Sequence, residues 1–230
     1  LFLMRGLVFF ALQIYCDFSG YSLIARGTAR LFGVELMVNF AQPYLAPNIT
    51  EFWRRWHISL STWLRDYLYI PLGGNRRGRA RTYLNLMLTM LLGGLWHGAN
   101  WTFVVWGGLH GLGLAAHKAL LGRTAGRPAP ANTPGGIARA VLGAGATLLF
   151  VLLAWLFFRA DSFAAAFSML RGILAWRGPF PAGLAAHAAA LPVLVLLIDG
   201  LLRKTGREEL VGLIPRPLRQ IGRASCRERV

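Results

Sequence analysis

The sequence predicts an all-α fold, a polytopic transmembrane helix bundle with interfacial amphipathic helices, and three observations carry that prediction. The 230 residues are 55% hydrophobic, with a mean hydropathy of +0.47, well above a soluble domain of this size. From Thr82 to His117 no Asp, Glu, Lys or Arg occurs. The basic residues behind the formal net charge of +16 stand beside the apolar runs: Arg76, Arg77, Arg79 and Arg81 before one, Arg123 and Arg127 after it, Arg203, Lys204 and Arg207 after another. A nucleic-acid-binding domain would spread its cations over a soluble face set with aromatic platforms. Flanking clusters are what positive-inside topology produces, so the expected partner is a lipid bilayer and not nucleic acid.

Each element follows from length and punctuation. A bilayer core takes about 20 apolar residues per helix. Residues 1 to 16 read as the remnant of an earlier span. Thr82 to His117 is too long for one crossing, and Gly98-Ala99-Asn100 is the natural break, giving two antiparallel spans. Ala140 to Phe158 is a third, and Leu184 to Leu202, interrupted by Pro192 and carrying Asp199, a fourth. With NRRGRAR (Asn75 to Arg81) in the cytoplasm, every other basic loop falls on the same side, which predicts a multi-pass membrane protein. Gly122 to Gly136, rich in Pro, Gly and Ala, reads as a flexible cytoplasmic loop. Ser162 to Trp176 reads as a short amphipathic helix on the outer face.

The segment Asn48 to Asn75 predicts one interfacial helix. Asn48 or Thr50 can cap it, Glu51 suits its first turn, and Pro71 with Gly73-Gly74 ends it. Trp53, Trp56, Leu60, Trp63 and Tyr67 recur at spacings of three and four as one apolar stripe, with Arg54, His57, Ser61 and Arg65 on another face.

Ile221 to Val230 (IGRASCRERV) reads as the translation of a short-read sequencing adapter and is expected to be a non-native tail. Cys226 falls in it, which leaves Cys16 alone; one thiol builds neither a disulfide nor a cysteine-rich metal site. The opening LFLMRGLVFFALQIY lies inside an apolar stretch and is expected to continue a longer protein.

The histidines are the chemistry to explain. His97 sits in GGLWHGANW, an apolar span where an ionisable residue is costly and marks function or an interhelical hydrogen bond. His110, in WGGLHGLG, lies on what reads as a small-residue packing face. His117 beside Lys118 and His187 amid alanines read as structural. GxGxxG, the Walker loop, HExxH and Gly-x-Ser-x-Gly are all missing from the sequence. His57 and His97, about 40 residues apart, make no metal site by themselves but can supply a general base and a helper in a channel. A transporter with histidines as proton relays is the alternative, although paired repeats with broken helices are not visible.

Three motifs in order, YCDFSGYSLIARGTARLFG (Tyr15 to Gly33), FWRRWHISLSTWLRDYLYIPLGGN (Phe52 to Asn75) and LLGGLWHGANWTFVVWGGLHG (Leu91 to Gly111), resemble the membrane-bound O-acyltransferase family. The likeness is to its bacterial alginate O-acetyltransferase branch; PLGGNRRG looks more like that branch than the D-alanyl-transferring one. Residues 10 to 120 carry the resemblance by motif, 137 to 204 by hydropathy alone. It implies a helical membrane barrel pierced by a channel, with residues 1–220 as the C-terminal part of a single membrane domain of about twice this length. It further implies a cytoplasmic acyl donor of the acetyl-CoA type, no bound cofactor or metal, and an acceptor hydroxyl from the opposite side. That acceptor is an exopolysaccharide, alginate-like, or a periplasmic SGNH-type acetyltransferase partner. The family's invariant histidine maps onto His97 and its second motif histidine onto His57, expected as the catalytic pair. Their motif neighbours Arg55, Trp56, Trp96 and Asn100 are expected to bind donor or acceptor.

Overall fold

The computed structural model describes residues 2–121, 133–175, 193–195, 197–201 and 204–205, and among them every regular element is helical. The order is α1 (Phe2–Leu31), a 3-10 turn (Pro43–Leu45), α2 (Ile49–Arg55), α3 (Ile58–Leu64), a π-helical turn (Arg65–Tyr69), α4 (Gly78–His97), α5 (Trp101–Leu121), α6 (Pro134–Arg159) and α7 (Phe163–Leu174). Two stretches, Gly6–Leu31 and Pro134–Arg159, are long and apolar enough to cross a membrane. The first corrects the expectation of a remnant ending near residue 16. Nothing between Arg5 and Arg26 breaks a helix, so α1 runs on through the Tyr15 to Gly33 motif.

The hairpin of α4 and α5 turns at Gly98 to Asn100, as the sequence predicts. Small residues let its arms touch: a Cβ on Gly94 would collide with the Phe103 carbonyl, and one on Gly107 with that of Met90. At 20 and 21 residues the arms have spanning length. Gly, Trp and His residues, and the arginines opening α4, keep both arms from standing out by hydropathy as Gly6–Leu31 and Pro134–Arg159 do. Asn100 holds the turn twice over: its Oδ1 accepts from the Thr102 N–H at 3.1 Å, and its Nδ2 donates to the Asp161 carbonyl at 3.1 Å.

α6 begins earlier than the third span expected from Ala140. Thr133 caps it by accepting from the Gly136 N–H, and Pro134 occupies the first turn, where a missing N–H costs nothing. The loop expected to reach Gly136 therefore ends before Thr133; its residues 122–132 lie outside the described residues. α7 matches the amphipathic helix expected from Ser162, which caps it through the Ala165 N–H. Most of the fourth span, His187 and the tail 221–230 with Cys226 lie outside the described residues. Residues 197–201 are helical, and buried Asp199 accepts a hydrogen bond from the Tyr15 hydroxyl at 2.9 Å.

The core is aromatic. Phe52, Trp53, Trp56, Trp106 and Trp155 are all buried, with Trp56 stacked on Phe52 and Trp106 on Trp155. Arg159 closes the end of α6 with its guanidinium 5.8 Å from the ring centre of Phe10.

The segment 48–75 departs most from expectation. It is not one helix: His57 has φ 45° and ψ 55°, a left-handed conformation that costs a non-glycine residue about 1 kcal/mol. Asn39 holds the break open. Its carbonyl accepts from the Ile58 N–H at 3.0 Å, and its Oδ1 accepts from the Ser59 N–H and hydroxyl at 3.1 and 2.7 Å. The break turns the chain, so the expected stripe divides. Trp53, Trp56 and Leu60 are buried, while Trp63 and Tyr67 are 54% and 71% exposed and stack on each other. Of the two candidate caps, Asn48 does the capping, accepting from the Glu51 N–H at 2.9 Å; Thr50 bonds His117 instead, Oγ1 to Nδ1 at 2.8 Å.

Candidate functional site

The left-handed backbone at His57 decides where that ring goes. A continuous helix would place it on a face with Arg54, Ser61 and Arg65; the break instead turns it toward α1 and the end of α4. There it meets Phe18 edge-on, ring centres 4.6 Å apart, and Trp96 at 6.3 Å. His97 is the last residue of α4 and stands edge-on to Trp96, Trp106 and Phe158 at 5.0 to 5.2 Å. Trp96 thus touches both imidazoles.

Both histidines line one cleft of about 590 Å³, with Phe10, Gln13, Ile14, Asp17, Phe18 and Tyr21 of α1 forming the opposite wall and Phe158 beside His97. Apart from Gln13 and Asp17, the walls around the two imidazoles are apolar or aromatic. Burial, with His97 nearby, pushes His57 down to about 4, so it is neutral at physiological pH. The Ser59 hydroxyl is committed to Asn39 Oδ1, so its oxygen is free to accept from His57 Nδ1 at 3.4 Å. That contact favours the tautomer with its proton on Nδ1 and leaves Nε2 as an acceptor. The His97 ring makes no hydrogen bond among the described residues, so neither ring nitrogen is committed there. Such a group can take a proton from a hydroxyl and later return it.

Of the six residues the sequence nominates, the structure brings His57, Trp96 and His97 together in this cleft. Arg55, Trp56 and Asn100 do not line it. Trp56 is 3% exposed in the aromatic core, Arg55 reaches back to Glu51 at 3.4 Å, and Asn100 is occupied by the α5 cap. The physical reason is the same for the first two: the break at His57 rotates its own ring away from α2, where Arg55 and Trp56 remain. Gln13 and Asp17 are cleft residues that the sequence reading passes over. The signal for Asp17 was present, since it is the lone charge between Arg5 and Arg26 in an otherwise spanning helix.

A second cavity of about 690 Å³ lies between α2–α3 and the α4–α5 hairpin. Its walls carry Thr50, Trp53, Arg54, Arg65, His117 and Lys118. Among the described residues no group of three His, Cys, Asp or Glu side chains is placed to hold a metal ion.

Comparison with known proteins gives this geometry a context. The family model of the membrane-bound O-acyltransferases matches residues 1–134. The probable alginate O-acetylase AlgI of Pseudomonas syringae pv. tomato is 52% identical over 157 residues, which are 68% of this chain and 28% of that protein. A peptidoglycan O-acetyltransferase of Helicobacter pylori is 46% identical over 169 residues, 74% of this chain and 31% of its own. A teichoic acid D-alanyltransferase of Streptococcus thermophilus is 35% identical over 119 residues, 49% of this chain and 29% of its own. The matched stretch therefore spans about three-tenths of each relative.

Proposed function

The chain belongs to the membrane-bound O-acyltransferase family, in its alginate O-acetylase branch, and we propose that it carries the histidine site of an O-acetyltransferase acting toward exopolysaccharide hydroxyls. The observation that carries the proposal is the shared cleft: His57 and His97, from two separate motifs, face one cavity with Trp96 between them. The relatives name three different products, and one chemistry covers them all, the transfer of an acyl group to a hydroxyl of a wall or matrix polymer.

In this reading the neutral imidazole of His97 accepts the proton of the acceptor hydroxyl as its oxygen attacks the carbonyl carbon of the acetyl thioester. The tetrahedral intermediate collapses, the C–S bond breaks, and the departing thiolate takes the proton from His97. An ester and a free thiol result, and the base is restored. His57 orients donor or acceptor through Nε2. No acyl-enzyme step is required, since the acceptor oxygen attacks the thioester directly.

The donor, of the acetyl-CoA type, enters from the cytoplasm and the acceptor from the periplasm. The basic residues flanking α4 and α5 support putting those ends inside, in a multi-pass arrangement of the bacterial inner membrane. The second cavity suits the donor side: Lys118 lines it, as do Arg54 and Arg65, whose partners Glu51 and Asp66 would have to yield to phosphate oxygens. The acceptor is the polymer itself or a periplasmic SGNH-type partner that passes the acetyl group on. Membership in an acyltransferase family favours this reading over a proton-relay channel.

Acetyl transfer by the full-length parent protein and its His97→Gln variant, at matched membrane levels, tests it. Glutamine keeps hydrogen bonding but cannot serve as the base, so transfer should fall by about 10² to 10⁴. Near-normal transfer would remove His97 from the reaction.

A further inference from the structure

A carboxylate has no ordinary reason to sit halfway along a membrane helix. α1 offers 20 residues between Arg5 and Arg26, and Asp17 is the lone charge among them. Facing lipid it would be expensive, and such residues are found facing a bundle interior or a water-filled cavity. The structure puts Asp17 in the cleft wall. It makes no hydrogen bond and no ion pair among the described residues, so nothing there neutralises or uses it. Gln13 lies one helical turn earlier on the same side and also lines the cleft. The surrounding walls are Phe10, Phe18, Trp96 and Phe158.

We propose that Asp17 and Gln13 form the acceptor-binding face of the cleft, holding a saccharide by its hydroxyl groups opposite the two histidines. The proposal rests on the O-acetyl transfer reading above and adds to it the residues that select the acceptor. A carboxylate accepts from two hydroxyls at once, and an amide both donates and accepts, which together match the alternating donors and acceptors of a sugar edge. The aromatic walls supply what remains of a sugar site, apolar faces against the ring C–H bonds. The proton of the attacking hydroxyl goes to His97 in that reading, so the role of Asp17 and Gln13 is binding and orientation.

The experiment measures steady-state transfer by the full-length parent protein in proteoliposomes, with acetyl-CoA as donor and a de-O-acetylated alginate oligosaccharide as acceptor. Asp17→Ala should raise the KM for the oligosaccharide on the order of tenfold or more, the loss of a charge-assisted hydrogen bond. Gln13→Ala should raise it several-fold, as for a neutral bond. The KM for acetyl-CoA should stay within about twofold in both. Asp17→Asn keeps one acceptor oxygen and should recover part of the loss. Equal falls in kcat with both KM values unmoved would make the pair structural and overturn the proposal. A parent enzyme that cleaves acetyl-CoA but acetylates no oligosaccharide would overturn it too, pointing to a protein hydroxyl as acceptor. If Asp17→Ala does not accumulate, Gln13→Ala and Asp17→Asn decide by the same KM split. Failure of the underlying reading has a different signature, a His97→Gln variant that still transfers acetyl to the oligosaccharide.

Discussion

His97 and His110 occupy the two arms of one hairpin, 13 residues apart, and the fold treats them oppositely. His110 is fully buried, and its Nδ1 accepts a hydrogen bond from the Trp53 indole at 3.2 Å. Phe52, Trp53, Trp106 and Phe150 enclose it. His97 touches as many rings, yet it ends its helix at a cleft, and among the described residues both its ring nitrogens are uncommitted. Trp106 even contacts both imidazoles. Apolar surroundings therefore do not separate a histidine free to react from a packed one. What separates them is whether a neighbour has already claimed the nitrogen and whether a substrate has room to reach it.

The sharpest way to break that contrast is a paired substitution in the full-length parent. His97→Gln should lose about 10² to 10⁴ in acetyl-transfer rate while thermal unfolding in detergent moves little, since the ring lies at a cavity edge. His110→Ala should do the reverse. It empties a buried site and strands the Trp53 indole N–H, a loss of about 2 to 4 kcal/mol in stability. Rate per folded molecule should remain within a few-fold. If His110→Ala proves as inactive as His97→Gln while still folded, the contrast fails.

Much of this was readable in the sequence, and the remainder has identifiable causes. The α4–α5 turn was legible because Gly98-Ala99-Asn100 interrupts a run with no charges. The α7 helix was legible because Ser162 caps it. The break at His57 was not, because the partner that holds it, Asn39, stands 18 residues earlier in a loop with no periodic signal. On an unbroken helix the three-and-four spacing joins Trp63 and Tyr67 to a stripe that in the fold they do not share with Trp56. Arg55 and Trp56, motif neighbours of His57 in the sequence, part from its ring at the same break. Sequence neighbours of a functional histidine share its site only where the backbone stays regular.

A smaller effect sharpens the same contrast at His57, where backbone and ring have separate jobs. Asparagine adopts the left-handed conformation readily, so His57→Asn should preserve the break and the membrane level of the parent. Loss of the ring alone should then lower transfer by about tenfold, short of the loss at His97. Burial keeps His57 neutral down to about pH 4, so its protonation cannot shape the profile between pH 5 and 8. The acid limb of kcat/KM in that window should be the same for the parent and for His57→Asn. A limb that disappears in the variant would show that His57, and not another group, takes up the proton.

The smallest expected effect concerns Asn100, nominated by sequence for its place beside His97 and given other work by the fold. Its side chain caps α5 and ties the hairpin turn to the Asp161 carbonyl. Removing an N-cap typically costs about 1 kcal/mol. Asn100→Ala should therefore lower the unfolding midpoint slightly and shift activity only as far as the folded fraction falls. Asn100→Asp restores the cap acceptor for the Thr102 N–H but cannot donate to Asp161, so it should recover most of the stability. Substrate binding makes a different forecast. If Asn100 touches donor or acceptor, Ala and Asp should both raise a KM at unchanged stability, and the two variants should not rank by their capping strength. Thermal midpoints and both KM values, measured on the same preparations, tell the two apart. A KM change without a stability change would return Asn100 to the site and mean that the hairpin turn serves substrate as well as helix geometry.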